Sequence, residues 1–168
     1  RWSRVVQGHP WPMALGATAF LLILAIPVLG MHLGFSDEGN QPTDTTVRQA
    51  YDLLAEGFGP GLNGPLTLVA SVPAGTPESA LTGVTEALNA TPGVEFASPP
   101  VPNDPTDPTA VIWNVVPSTA PQDEATTSLV HRLRDDVIPR ALSDASGAEV
   151  QVGGQTAMFI DMSDKISS

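Results

Sequence analysis

The chain has 168 residues, enough for one domain with its own core and too few for two full ones. Residues 36–168 hold all 18 acids and only five of the 7 bases (Arg48, Arg132, Arg134, Arg140 and Lys165), a balance of −13 that repels nucleic acid and anionic head groups. No cysteine is present, which excludes disulfide scaffolds, thiolate metal sites and Cys nucleophiles and leaves the redox compartment open.

Residues 13–31, MALGATAFLLILAIPVLGM, hold no charged side chain. With Trp11 before them and His32 and Leu33 after, the apolar run reaches the ~20 residues that cross a bilayer. It is longer than a secretory h-region and no small-residue cleavage site follows, so it reads as a transmembrane helix ahead of a signal peptide or a buried core helix. Arg1 and Arg4 precede the run and Asp37 and Glu38 follow it, which predicts residues 1–10 in the cytoplasm and residue 36 onward outside. Pro27 is expected to bend the helix near its outer end. The chain starts at Arg1 rather than Met, and reads as cut from a longer protein. Two parts follow: 1–35, a cytoplasmic flank and membrane helix, and 36–168, an extracytoplasmic domain ending at the start of a further helix.

Turn residues at 36–44 lead to an amphipathic helix with Thr43 as its N-cap and Val47, Ala50, Tyr51, Leu54 and Phe58 at helical spacing. The helix ends in GFGPGLNGP (57–65), a corner without a charge. Glycine admits φ values that other residues resist, while Pro60 and Pro65 limit how far the corner wanders. Two readings stand side by side, a moving hinge and a packed corner of close backbone approach. The candidate residues are Gly59, Pro60, Gly61, Asn63, Gly64 and Pro65, with Gly153 and Gly154. A methyl at Gly61 is expected to cost little if φ there is negative.

A strand is predicted at 66–72, then a helix opened by Thr76 and Pro77 with Leu81, Val84 and Leu88 on one face. Residues 94–98 read as a second strand. The loop 99–108 carries five prolines, which forbid a sheet interior. Residues 110–116 alternate as a third strand. Thr119 to Gln122 read as a capping box for a helix with Ala125, Leu129, Leu133 and Val137 buried and a kink at Pro139. Residues 149–152 form the fourth strand, and a last helix follows, with Asp161 placed to pair with Lys165. The order β-α-β-β-α-β predicts a ferredoxin-like α/β (α+β) domain: a four-stranded antiparallel sheet with both helices on one face and the other face covered or used.

His9, His32 and His131 lack metal-ligand spacing, and no nucleophile elbow, P-loop or dinucleotide fingerprint occurs. The acid pairs at 37–38, 123–124 and 135–136 read as solvated faces, Trp113 as core, and Asn89-Ala90-Thr91 as a glycosylation match weakened by Pro92. No catalytic residue, cofactor or metal is assigned, and the chain is not read as an enzyme.

Three segments carry a resemblance: AYDLLAEGFGPGLNGPLTLVA (50–70), VVPSTAPQDEATTSLVHRLRD (115–135) and VGGQTA (152–157). With WSRVVQGHPWP (2–12) ahead of the apolar run, they resemble the MMPL family of the RND superfamily, the one departure being Leu62 where the family usually has an aromatic residue. The resemblance covers nearly the whole chain and implies the second half of such a transporter: transmembrane helix seven, then the extracytoplasmic porter domain. It implies a proton-driven exporter of lipids or hydrophobic metabolites in the plasma membrane of an actinobacterium, multi-pass in the parent protein. Its partners would be apolar or lipid cargo, membrane lipid and the rest of the transporter chain, with no nucleic acid. The family's proton-relay residues lie in later membrane helices, so none is carried over. The rival reading is a single-span protein with an extracytoplasmic ligand-binding or sensor domain.

Overall fold

A computed structural model describes residues 7–8, 10–27, 36–142 and 147–167. The chain divides into two compact units, Arg1–Gly34 and Phe35–Ser168. In the first, helix α1 (Pro10–Ala25) has 16 residues, about 24 Å of rise, and none of its side chains is buried. It gives way to a tight 3₁₀ turn at Ile26 and Pro27, because the proline ring removes a donor and crowds the carbonyl one turn back. Among the described residues no helix is long and apolar enough to cross a membrane. The run expected to span thus ends, as described helix, earlier than its composition suggested, and residues 28–31 lie outside the described residues.

The second unit opens with a 3₁₀ turn, Glu38–Asn40, and helix α2, Thr46–Phe58. A second 3₁₀ turn, Pro60–Asn63, leads to β1 (Leu66–Ser71), α3 (Glu78–Asn89), β2 (Val94–Ala97), β3 (Val101–Pro102) and β4 (Ala110–Pro117). Then come α4 (Glu124–Arg132), a π turn (Leu133–Val137), α5 (Ile138–Ala141), β5 (Glu149–Gly154) and α6 (Gln155–Ser167). The sheet order is β2-β4-β1-β5, antiparallel throughout, so the fold is α+β with the predicted β-α-β-β-α-β order. Inward positions Leu66, Leu68, Val111, Trp113, Val115 and Val152 meet Leu81, Val84 and Leu88 of α3 and Leu129, Val130 and Leu133 of the α4 side in one core. Trp113 is fully buried and its indole Nε1 donates to Thr85 Oγ1 at 2.9 Å, so it is core. On the other face Val69, Phe96, Val101 and Ile112 stand exposed.

Several local expectations shift. The α2 cap is Thr45, whose Oγ1 accepts from Arg48 N, rather than Thr43. Asp123, not Thr119, stands at the N-cap of α4, and Thr119 instead shares a hydrogen bond with Thr126. The proline-rich loop contributes the two-residue β3, which pairs Val101 and Pro102 with Ile112 and Val111 of β4. It lies on the outer edge beside β2, where a missing N–H costs nothing. Upstream of Pro139 the helix widens, Ile138 N–H reaching back to Leu133 O, which makes room for the ring where a kink was expected. The apolar stripe of α2 is present but buries no residue, and Val47, Leu53 and Phe58 remain exposed.

Candidate functional site, a packed glycine and proline joint

The corner after α2 begins with Gly59 at φ 90 and ψ 150, a region open in practice to glycine alone. Its N–H still closes α2 on Ala55 O at 3.1 Å, and a Cβ there would meet nothing within 4 Å. Glycine is required at this position by backbone shape. Pro60 then starts the 3₁₀ turn, where its fixed φ fits and its absent N–H is not missed.

Gly61 is required for a different reason. A Cβ on it would lie 1.7 Å from the carbonyl oxygen of Pro117, at the end of β4. Its neighbour Gly64 would put a Cβ 2.4 Å from Cβ of Pro121. The expectation that a methyl at Gly61 costs little therefore fails, because the neighbour is backbone and cannot turn aside. Gly154 closes the assembly from β5: it has φ 108, and a Cβ would sit 2.8 Å from Pro65 O. Gly153 is not held in this way, its nearest contact being an ordinary 3.5 Å to Thr67 O. Asn63 ties the turn back to α2, its Nδ2 donating to Tyr51 O at 3.1 Å.

Pro121, against which Gly64 packs, also accepts a buried hydrogen bond at its carbonyl from Thr156 Oγ1 at 2.9 Å. Two residues on, the Ala120–Asp123 loop is closed by Ala120 N–H donating to Asp123 Oδ2 at 2.9 Å and by Thr126 Oγ1 donating to Ala120 O at 2.7 Å. The three sequence segments singled out above thus meet at one place. Gly61, Gly64 and Pro65 come from the first, Pro117 and Pro121 from the second, and Gly154 and Thr156 from the third. Pro117, Pro121 and Thr156 were not among the expected site residues; their place inside the quoted motifs was the available signal.

Chemically the joint consists of close-packed backbone and proline rings with satisfied polar groups, an arrangement that fixes position. Among the described residues no group of three or more His, Asp or Glu could hold a metal ion. His131 lies exposed in the last turn of α4, and His9 and His32 lie outside the described residues. Asn89 is spent on structure, its Oδ1 accepting from Ala97 N at 2.9 Å and so fastening β2 to α3.

No family model matches the chain. It is 36% identical over 169 residues to Membrane protein YdfJ of Bacillus subtilis, which covers 99% of this chain and 22% of that protein. It is 29% identical over 174 residues to the Mycolic acid-containing lipids exporter MmpL11 of Mycolicibacterium smegmatis, covering 100% of this chain and 18% of the exporter. Against the Heme uptake protein MmpL11 of Mycobacterium tuberculosis the identity is 30% over 173 residues, 100% of this chain and 17% of that one. A solved structure of Mycobacterial membrane protein MmpL11D2 aligns with 52% of this chain and 99% of its own, at a TM-score of 0.39 and 19% identity. The chain spans about a fifth of the length of the curated relatives it matches. Along nearly its whole length the chain matches one segment of each of these longer proteins. It belongs to the MMPL family of RND-type transporters.

Proposed function

We propose that the chain supplies one extracytoplasmic porter domain, with the membrane helix before it, to a multi-spanning, proton-driven exporter of lipids or hydrophobic metabolites. The observation that carries this reading is 36% identity to a membrane protein along 99% of the chain. Two relatives bear names with large, apolar cargo, lipid in one and heme in the other, and differ in direction, export in one and uptake in the other. Apolar cargo is what they share, and export is the direction adopted here. Mycobacterial relatives support an actinobacterial source, although the Bacillus protein has the higher identity. The proposal includes no enzymatic step.

In this reading residues 13–31 cross the plasma membrane with the N-terminus inside, on the strength of their composition and of Arg1 and Arg4. The porter domain then works as a stiff body. Gly61, Gly64 and Gly154 hold the joint closed, and Gly59 supplies the positive φ by which the chain leaves α2. Single cysteines test the topology in a chain that has none of its own. In intact cells producing the parent protein, a membrane-impermeant thiol reagent is expected to label Ser3→Cys only after lysis and Asn103→Cys directly. Labelling of Ser3→Cys in intact cells overturns the reading, and a parent gene without further apolar spans reduces it to a single-span protein.

A further inference from the structure

We propose that the chain pairs with a second copy of itself by exchanging helices: α2 of each copy covers the outer face of the other copy's sheet.

Two apolar surfaces of the second unit lie bare. The first is on α2, which is attached the wrong way round for an amphipathic helix. Its half-buried residues are Arg48, Tyr51 and Ala55. Arg48 Nη1 donates to Gly39 O and Tyr51 Oη to Asp37 Oδ2 at 3.2 Å, so polar bonds fasten the helix to its domain. The apolar side points away: Val47, Ala50, Leu53, Leu54 and Phe58 all stand exposed, Phe58 at 70%. Arg48, Asp52 and Glu56 recur every four residues and keep the charge on another side. A helix of this kind contributes stability by burying its stripe, and α2 leaves its stripe in water.

The second surface is the outer face of the sheet. Val101, Ile112 and Val69 are paired side by side across β3, β4 and β1, and Phe96 lies further along, opposite Val116 of β4. All four are exposed, from 41% for Val69 and Ile112 to 57% for Val101. The outward positions of β1 and β4 carry no charge, in a unit whose balance is −13.

The two surfaces match. Helix α2 is about 20 Å long and about 10 Å across, and the face spans about 20 Å along β1 and about 14 Å over four strands. A helix laid on a sheet is an ordinary layer of an α+β domain, and neither surface brings charge against the other. Within one copy they stay apart. The bonds to Asp37 and Gly39, with Asn63 Nδ2 on Tyr51 O, hold α2 against the two 3₁₀ turns. A second copy supplies both missing halves at once. The exchange is reciprocal, so a two-fold axis closes it at a dimer and leaves neither surface bare. Elsewhere the acidic surfaces repel, which confines the contact to these neutral patches.

Cross-linking tests the pairing on the full 168-residue chain, which has no cysteine, in a mild detergent. Copies carrying Leu54→Cys are mixed with differently tagged copies carrying Ile112→Cys and oxidised. The mixed disulfide is expected in roughly tenfold excess over that from Leu54→Cys and Ser79→Cys, because Ser79 lies on α3, across the sheet and out of reach. Sedimentation of the unmodified chain should show a dimer. Leu54→Glu or Ile112→Glu should each weaken it roughly tenfold or more, since each puts a charge into one patch without touching the core. Mixed together, those two variants keep one intact contact and should recover part of the dimer. A predominant link between two Leu54→Cys copies would mean helix on helix and overturn the exchange. So would a dimer that both Glu variants leave unchanged. A chain that stays monomeric as it is concentrated would leave detergent or another protein to cover the two surfaces, and would overturn it too.

Discussion

Glycine at 59 and glycine at 61 are needed for reasons that a substitution can separate. At Gly59 the space is open and the backbone is the obstacle, so Gly59→Ala should cost about 1–2 kcal/mol of strain. At Gly61 the obstacle is the carbonyl of Pro117, and an added Cβ must push β4 away from the turn. Gly61→Ala should therefore cost about 3 kcal/mol or more. Gly57, inside α2 with nothing within 4 Å, is the control: Gly57→Ala should gain roughly 0.5 kcal/mol. Urea unfolding of the three variants checks the ranking, and wild-type stability in Gly61→Ala would remove the joint. The sequence shows the density of glycine here but not which role each has. The contact of Gly61 with Pro117 joins residues separated by β1, α3, β2, β3 and the length of β4, and no local pattern records it.

Among the elements, the helix from α4 through the π turn to α5 sets the place of α6. Arg134, inside the π turn, forks onto Asp161 with Nη1 at 2.6 Å from Oδ1 and Nη2 at 3.0 Å from Oδ2, and Nη2 also donates to Val152 O at 2.9 Å. That hydrogen bond holds the Asp161 carboxyl below its usual range. A lowered carboxylate stabilises the fold at neutral pH, and the contribution is lost as pH falls through the lowered value. Asp161 is 60% exposed, so solvent limits the pair to roughly 1 kcal/mol or less. Arg134→Lys keeps the charge and loses the fork; it should cost about 1 kcal/mol and speed amide exchange in the first turns of α6. Unchanged exchange there would assign the placement of α6 to Thr156 and its buried neighbours alone.

The strands and their order were legible because alternation and capping mark each element and right-handed crossovers leave few topologies. The caps slipped because threonines at 43, 45 and 119 offer similar chemistry and tertiary contacts choose among them. Periodicity in α2 revealed an apolar stripe but not what lies against it. The short β3 was hidden because Pro99 and Pro100 interrupt the edge, and only pairing with β4 restores it. The spacing of Asp161 and Lys165 is local, whereas the Arg134 guanidinium that grips Asp161 arrives from another helix, which no local spacing records.

At the scale of the molecule, the second unit contains a whole core, and residues 36–168 alone are expected to fold with a mixed α/β circular dichroism spectrum. Its alkaline limit is set in part by Tyr51. Burial above all, then the charge of Asp37, pushes the phenol from 10.0 up to about 12. The folded state keeps a proton there that the unfolded chain has already lost, so stability is level up to about pH 10 and falls from there to about pH 12. Tyr51→Phe should flatten that fall in urea titrations at successive pH values. An all-helical spectrum would contradict the domain, and an equal alkaline loss in Tyr51→Phe would contradict the role of the phenol.

Strand β5 passes into α6 without a connecting loop, Gly154 closing the one and Gln155 opening the other. With Thr156 fastened to Pro121 and Asp161 to Arg134, the base of α6 has no slack. A tilt of the sheet is then delivered along the helix as along a lever arm. Over 13 residues the arm is about 20 Å long, and a ten-degree tilt sweeps its far end through about 3 Å. A small rotation of the domain thus arrives at the far end of α6 as a displacement of atomic size.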